Sequence, residues 1–400
     1  MNLGAKDASV SSPNPQHESP SDARLLSREF LVLLASVSFF GFSWSFYLIL
    51  PKFFAAELGM DAAAIGRAVA IEGITAVVVT PLVGWLVDRY GRRPWLMVGN
   101  VMLMLTGILY IFVDHEGPLL YLAQMCWGVG MVMGFNSAGT MTADIAPPHR
   151  MAEALGLFGA ANLGMNAISP TIAELLAESV GWKYVFAASA SAGLIAALLS
   201  TRIREPVRHT PHVQDTRIPV LSAPLLRVYG TTILMTAAFT ALFTLHQPFA
   251  LELGVTEVRQ FFIGFAIVAL TVRLGGGRLI DRFGVLRSSV VALVLYAAVP
   301  PMLGFLGPDH LFAIGAMMGL GHGIAYPALT ALAIERADAE TRGMVVSIIH
   351  GAFNGGHAFF AFALGWTAAQ WDYSTAFWAA GAMTLAGAFV LGVARQRGNT

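Results

Sequence analysis

The stretch "GWLVDRYGRRPW", Gly84 to Trp95, closes an apolar run that begins near Ala68 and then sets one aspartate and three arginines into six positions. A near copy, "GRLIDRFGVLR", occupies positions 277 to 287. The aspartates Asp88 and Asp281 lie 193 residues apart. A small charged hinge repeated at that distance in an apolar chain points to a duplicated unit, and the rest of the sequence agrees.

The 400 residues are 56% hydrophobic and 12% charged, with a mean hydropathy of +0.66. A soluble domain carries about a quarter charged residues. Half that, spread over runs of roughly twenty apolar residues, suits a bilayer core of ~30 Å. Because these runs are continuous rather than short and alternating, they predict helices and not a closed barrel. Net charge is zero, so the total says nothing about acidic or nucleic-acid partners, though no nucleic-acid partner is expected of such an apolar chain; the single cysteine, Cys126, provides neither a disulfide nor a thiolate metal site. The first 26 residues are polar and rich in Ser and Pro without a signal-peptide core, so they read as a disordered tail.

Twelve apolar segments follow, at 30–50, 65–87, 94–113, 119–142, 153–177, 183–201, 228–250, 258–280, 288–306, 310–334, 344–367 and 374–394. Pro94, Pro118 and Gly181 mark helix ends. With the N-terminus placed in the cytoplasm, nineteen Lys and Arg fall on the inner side. Four fall outside (Lys52, Arg67, Lys183 and Arg259), and Arg273 falls within a span. The positive-inside rule then puts both termini in the cytoplasm. The predicted organisation is a tail (1–26), a six-helix bundle (27–202), a cytoplasmic linker (203–224) and a second six-helix bundle (225–395).

Further pairs fix the repeat register. "AELG" at 56–59 answers "LELG" at 251–254, "GVG" at 128–130 answers "GLG" at 319–321, and "GAANLG" at 159–164 answers "GAFNGG" at 351–356. Six helices are an even number, so both copies share one orientation, the parallel repeat of one transporter architecture with its site between the halves.

The pattern GxLxDRxGRR between the second and third helices, with its weaker copy between the eighth and ninth, resembles the signature loop of the major facilitator superfamily, over nearly the whole chain. The resemblance implies an all-α membrane protein of two six-helix bundles rocking about a cavity lined mainly by helices one, four, seven and ten. It implies a conformational latch at the hinge, built from Gly84, Asp88, Arg89, Gly91 and Arg92 with Asp144 at the end of helix four. Asp281, Arg282, Gly284, Glu335 and Arg342 are the second-half counterparts. The glycines are expected to permit close helix approach and a tight turn. The competing reading is that the loop only fixes topology.

Ionisable groups inside spans are functional candidates. Glu72 lies 16 residues before Asp88, thus ~24 Å from the hinge, and an isolated carboxyl there could carry a proton; a plain hydrated vestibule residue is the alternative. Arg273 lies eight residues before Asp281, ~12 Å into the span, placed either to clamp an anion or to snorkel back to the surface. His246, His322, His350 and His357 fall in second-half spans, and His322, beside Tyr326, is the foremost candidate for proton or substrate contact. Asn162 and Asn354 match across the repeat, where their flanking glycines argue first for close packing. Trp44, Tyr47, Gln124 and Asn136 complete the candidate cavity. The sequence departs from the family where an arginine often found on helix four is Gln124, and where helix five keeps Pro170 without the exporter-associated glycines. Glu174 on that helix is a substitute ionisable site or an entry residue.

These features lead to proton-coupled efflux of a small organic solute by a monomer in a bacterial inner membrane. The alternatives are proton-coupled or facilitative uptake of a metabolite, and a transporter-like sensor. No cofactor or metal is expected. The sequence has no Walker, HExxH or Gly-x-Ser-x-Gly element, and "GVGMVMG" and "GLGHGI" lie in mid-helix with no preceding strand, so an enzyme is not expected.

Overall fold

The computed structural model describes residues 25–147, 150–205, 220–275, 282–305, 310–338 and 341–393. They form twelve long helices. The first six are α1 (Arg28–Ala56), α2 (Ala62–Tyr90), α3 (Arg93–Tyr110), α4 (Pro118–Ile145), α5 (Met151–Ser179) and α6 (Trp182–Ser200). The second six are α7 (Ala223–Glu252), α8 (Arg259–Gly275), α9 (Val285–Phe305), α10 (Leu311–Glu335), α11 (Arg342–Gln370) and α12 (Tyr373–Val393). Nine of these are long and apolar enough to cross a membrane, and no strand occurs among the described residues.

Local chemistry sets the ends. Ser27 caps α1 by accepting from the Phe30 amide at 3.2 Å, and Asp61 caps α2 by accepting from Ala64 at 2.7 Å. Pro94 and Pro118 sit in first turns, where a missing N–H costs nothing. Gly91 and Gly181 have φ of +98° and +99°, a conformation that a Cβ disfavours.

Several helices run longer than their apolar cores predicted, and α2, α5 and α11 have 29 residues each. At 1.5 Å per residue each reaches ~43 Å, so polar ends project beyond a ~30 Å hydrocarbon layer. The first and seventh helices are not regular throughout. Residues Tyr47–Ile49 tighten into a 3₁₀ turn before Pro51, and Ala241–Leu245 widen into a π turn before Pro248. Each proline removes one ladder donor and crowds the carbonyl four residues back.

The two halves repeat one packing scheme. α1 packs on α5 and α6, α2 on α4, and α3 on α4 and α6; α7 packs on α11 and α12, α8 on α10, and α9 on α10 and α12. The chain is therefore two parallel-repeat six-helix bundles. Leu25, assigned to the tail from sequence, is buried in a cluster with Phe30, Ala146 and Ala154. At the start of the expected linker Ile203 is also buried, in a cluster with Leu33, Val37 and Leu96, so the first half retains this stretch.

Between the halves α2 runs along α11, α5 along α8, and the last turns of α1 touch those of α7. These contacts lie toward the end away from the hinges. A Cβ on Gly66 would stand 2.2 Å from the Ala361 carbonyl, and one on Gly365 would stand 2.5 Å from that of Ala62. At the hinge end Gly84 on α2 and Gly343 and Gly351 on α11 have no neighbour within 4 Å of a built Cβ. The bundles thus touch at the far end and part at the hinge end.

Candidate functional site

A cavity of about 290 Å³ lies between the halves. Eight helices line it, α2, α5, α8 and α11 as well as the expected α1, α4, α7 and α10. The additional four enter because splayed bundles expose the flanks of the helices that pack across the interface.

Trp44, Tyr47, Glu72, Asn136, Asn162, Arg273, His322, Tyr326, His350 and Asn354 all lie on the wall. On the first half the Tyr47 ring lies 5.4 Å from Trp127, and its hydroxyl donates to Leu103 O (3.2 Å) and accepts from Ser189 (2.8 Å). Trp44 Nε1 and Asn162 Nδ2 are buried and bond to no described protein atom. On the second half His322 stacks on Tyr326 at 5.8 Å, and Tyr326 on His350 at 6.3 Å. His357, also on the wall, pairs through Nδ1 with the Thr240 hydroxyl at 2.8 Å. No group of three or more metal-ligating side chains forms among the described residues.

Glu72 is 8% exposed and has no hydrogen bond or ion pair among the described residues. The carbonyl of the same residue lies where a Cβ on Gly128 would come within 2.7 Å, so α4 presses closely on α2 there. That packing also removes Gln124 from the cavity, since its amide donates to the Ala68 carbonyl at 2.9 Å. His246 is likewise off the wall, fully buried and stacked on Phe261 at 4.2 Å. The close packing expected around Asn162 does not occur, as built Cβ atoms on Gly159 and Gly164 meet nothing within 4 Å. In the matching stretch only Gly356 packs tightly: a Cβ built there would stand 2.4 Å from the Thr236 hydroxyl and 3.0 Å from the Ile233 backbone.

Glu174 does not face the cavity. It is fully buried at the far end, accepting from the backbone amides of Val258 (2.9 Å) and Arg259 (2.8 Å) and from the Arg259 guanidinium (3.2 Å). Lys52 also bonds Glu174, and it donates to the Thr256 carbonyl at 2.6 Å. Gln247 joins α7 to α1, donating to Leu48 O at 2.8 Å and accepting from Lys52 N at 3.1 Å.

The hinge itself makes no cross-half ion pair among the described residues. Arg92 pairs with Asp144 at 2.9 Å, both in the first half. Arg89 lies over the rings of Trp85 and Tyr90, at 5.5 and 5.7 Å. Arg282, Glu335 and Arg342 have no ion-pair partner among the described residues; Gly284 takes φ +83°. Asp281 and the side chain of Asp88 lie outside the described residues.

Sequence reasoning missed several positions. Trp127, Met131 and Phe135 line the wall at helical spacing with Asn136, and Asn166 lies one turn beyond Asn162, accepting from Ser45 at 2.8 Å. Their i, i+4 periodicity was the available signal. Glu205 accepts from the amides of Arg92 (2.6 Å) and Arg93 (2.8 Å), and only long-range folding brings it there.

Two bundles related by a repeat, meeting around a lined cavity, define a membrane transporter, and comparison with known proteins agrees. A family model described as Major Facilitator Superfamily matches residues 31–307 and 228–399. The chain belongs to that superfamily, whose members are transporters and not enzymes. It is 28% identical over 236 residues to Multidrug resistance protein 1 of Bacillus subtilis, covering 57% of this chain and 59% of that protein. It is 24% identical over 271 residues to the purine ribonucleoside efflux pump NepI of Escherichia coli K12, covering 65% and 67%. The quinolone resistance protein NorA of Staphylococcus aureus is 21% identical over 288 residues, covering 68% and 73%. Among solved structures, a D-xylose-proton symporter superposes with a TM-score of 0.75 at 16% identity, covering 90% of this chain and 96% of that one. The nucleoside transporter NupG gives 0.72 at 12% identity, covering 92% and 99%. At such identities these two speak for the fold alone.

Proposed function

We propose that the protein exports a small organic compound across a bacterial inner membrane in exchange for protons, with its hinge end and both termini cytoplasmic. In that orientation the bundles are sealed toward the outside and open to the cytoplasm, the state in which an exporter loads its cargo. The observation that carries proton exchange is Glu72, a carboxyl on the cavity wall with no counter-charge among the described residues. A carboxylate held unpaired against apolar surface is costly. A proton in one state and water in the other relieve that cost alternately. The direction rests on relatives named for efflux and drug resistance.

The test uses purified protein in proteoliposomes with a pH dye inside, and a purine ribonucleoside and a quinolone as first probes. Proton movement driven by a probe, lost in Glu72→Gln with probe binding retained, is the expected result. Probe flux without a proton signal overturns the coupling, and counterflow favouring right-side-out over inside-out vesicles overturns the direction.

A further inference from the structure

Glu72 and Arg273 sit on repeat-equivalent helices, α2 and α8, and the hinge register of 193 relates each to a partner on the opposite half. Glu72 corresponds to Phe265, and Arg273 corresponds to Thr80. All four side chains line the cavity. Duplication has therefore kept four wall positions while placing one acid on the first half and one base on the second. Along the helix the two charged positions differ by eight residues, ~12 Å, too far to neutralise one another by direct contact. Arg273 makes no ion pair among the described residues and is solvent-accessible through the cavity. His322 and Tyr326, stacked on one another at 5.8 Å, line the same cavity, and no described acid stands within ion-pair reach of Arg273.

A guanidinium within a membrane span that meets no acid among the described residues calls for an anion to answer it. A planar five-donor fork suits a carboxylate or another oxyanion better than a neutral group. Tyr326, Phe353 and Phe239 line the same cavity in edge-to-face contact through Phe353, and Trp44 and Trp127 line it from the first half. We infer that Arg273 anchors the anionic group of a flat aromatic acid whose ring lies between these aromatic walls. The inference rests on the transporter reading for its purpose, because an anchor on one bundle lets cargo travel with that half as the bundles rock.

The experiment compares 1-naphthoate with the uncharged 1-naphthamide, binding to purified full-length protein in detergent, by quenching of tryptophan fluorescence with calorimetry as a check. One charge-assisted pair predicts a preference for the acid of about tenfold to a hundredfold. Arg273→Gln should abolish that preference while leaving amide binding within about twofold, and Arg273→Lys should keep part of it. Equal affinity of the unaltered protein for both probes, a preference that persists in Arg273→Gln, or no binding of either at millimolar concentration overturns the assignment. Detergent binding reads the anchor without transport, so failure of proteoliposome flux alongside an intact acid preference would count against export and not against Arg273.

Discussion

The carboxylate of Glu174 accepts both the backbone N–H and the guanidinium of Arg259, at 2.8 and 3.2 Å, so a side chain of the first bundle caps the first turn of α8 in the second. An acid at a helix N-terminus meets the positive end of the helix dipole. With Lys52 bonded to the same carboxylate, the far end is held by charge on both halves. Glycine contacts between α2 and α11 add van der Waals closure beside it.

Removing that carboxylate should open the far end. Breaking one partner of a buried pair costs about 3 kcal/mol in the state that holds it, roughly a hundredfold in population. Spin labels at the exposed positions Asp114 and Asp372, with Cys126→Ser removing the sole native thiol, report the separation. Glu174→Ala is expected to move the distance distribution to longer values. An unchanged distribution would mean that glycine packing alone closes this end.

Gly91 and Glu205 form a second unit. The N–H groups of Arg92 and Arg93 point at the Glu205 carboxylate, and a Cβ on Gly91 would stand 2.5 Å from its Oε1. Gly91 also holds φ +98°. Gly91→Ala therefore meets both a backbone penalty and a clash, and should cost about 1–2 kcal/mol. Glu205→Ala, which leaves the first turn of α3 uncapped, should cost about 1 kcal/mol. Thermal midpoints followed by size-exclusion should fall for both, and in the double variant should fall by less than the sum.

Much of this was readable in the chain, and what was not has a common cause. Repeated hinges, apolar run lengths and Pro or Gly punctuation act locally, and they delivered helix number, order and the repeat. Wall residues such as Trp44, Asn162 and His322 were reachable because intramembrane polar groups are few. Helix rotation was not reachable: Gln124 turns to the Ala68 carbonyl and His246 to Phe261 because of neighbours 56 and 15 residues away. The Glu174 contacts depend on pairing across 84 residues or more, and on which of two states the bundles occupy. Charge placed Lys52 and Arg259 at one end of the molecule without saying that they converge.

Arg92 and Asp144 offer a way to separate anchoring from latching. Their pair lies within one bundle, with side chains 13% and 29% exposed. A contact internal to one rigid body stabilises both states alike. A double-mutant cycle on Arg92→Ala and Asp144→Ala should therefore show a coupling of about 1 kcal/mol in thermal stability. The far-end label distances should not move. A state-dependent shift in those distances would assign this pair the role of latch.

Gly66 and Gly84 lie on the same helix, 18 residues apart, and should respond oppositely to the same change. A side chain at Gly66 is forced into the Ala361 carbonyl, because its Cβ alone would sit 2.2 Å away. Gly66→Val must push α2 from α11 and disfavour the closed far end. At Gly84 a Cβ meets nothing within 4 Å, so Gly84→Val fits this state without strain. It would instead obstruct the approach of α2 to its opposite bundle when the hinge end closes. Thermal stability of Gly84→Val should stay within about 0.5 kcal/mol of the parent, the range for uncrowded positions, while transport falls at least tenfold. Gly66→Val should lengthen the far-end label distance, and Gly84→Val should leave it short under all conditions. Normal transport by Gly84→Val would show that the hinge end never closes tightly over α2, and rocking of the two bundles would then need a different pivot.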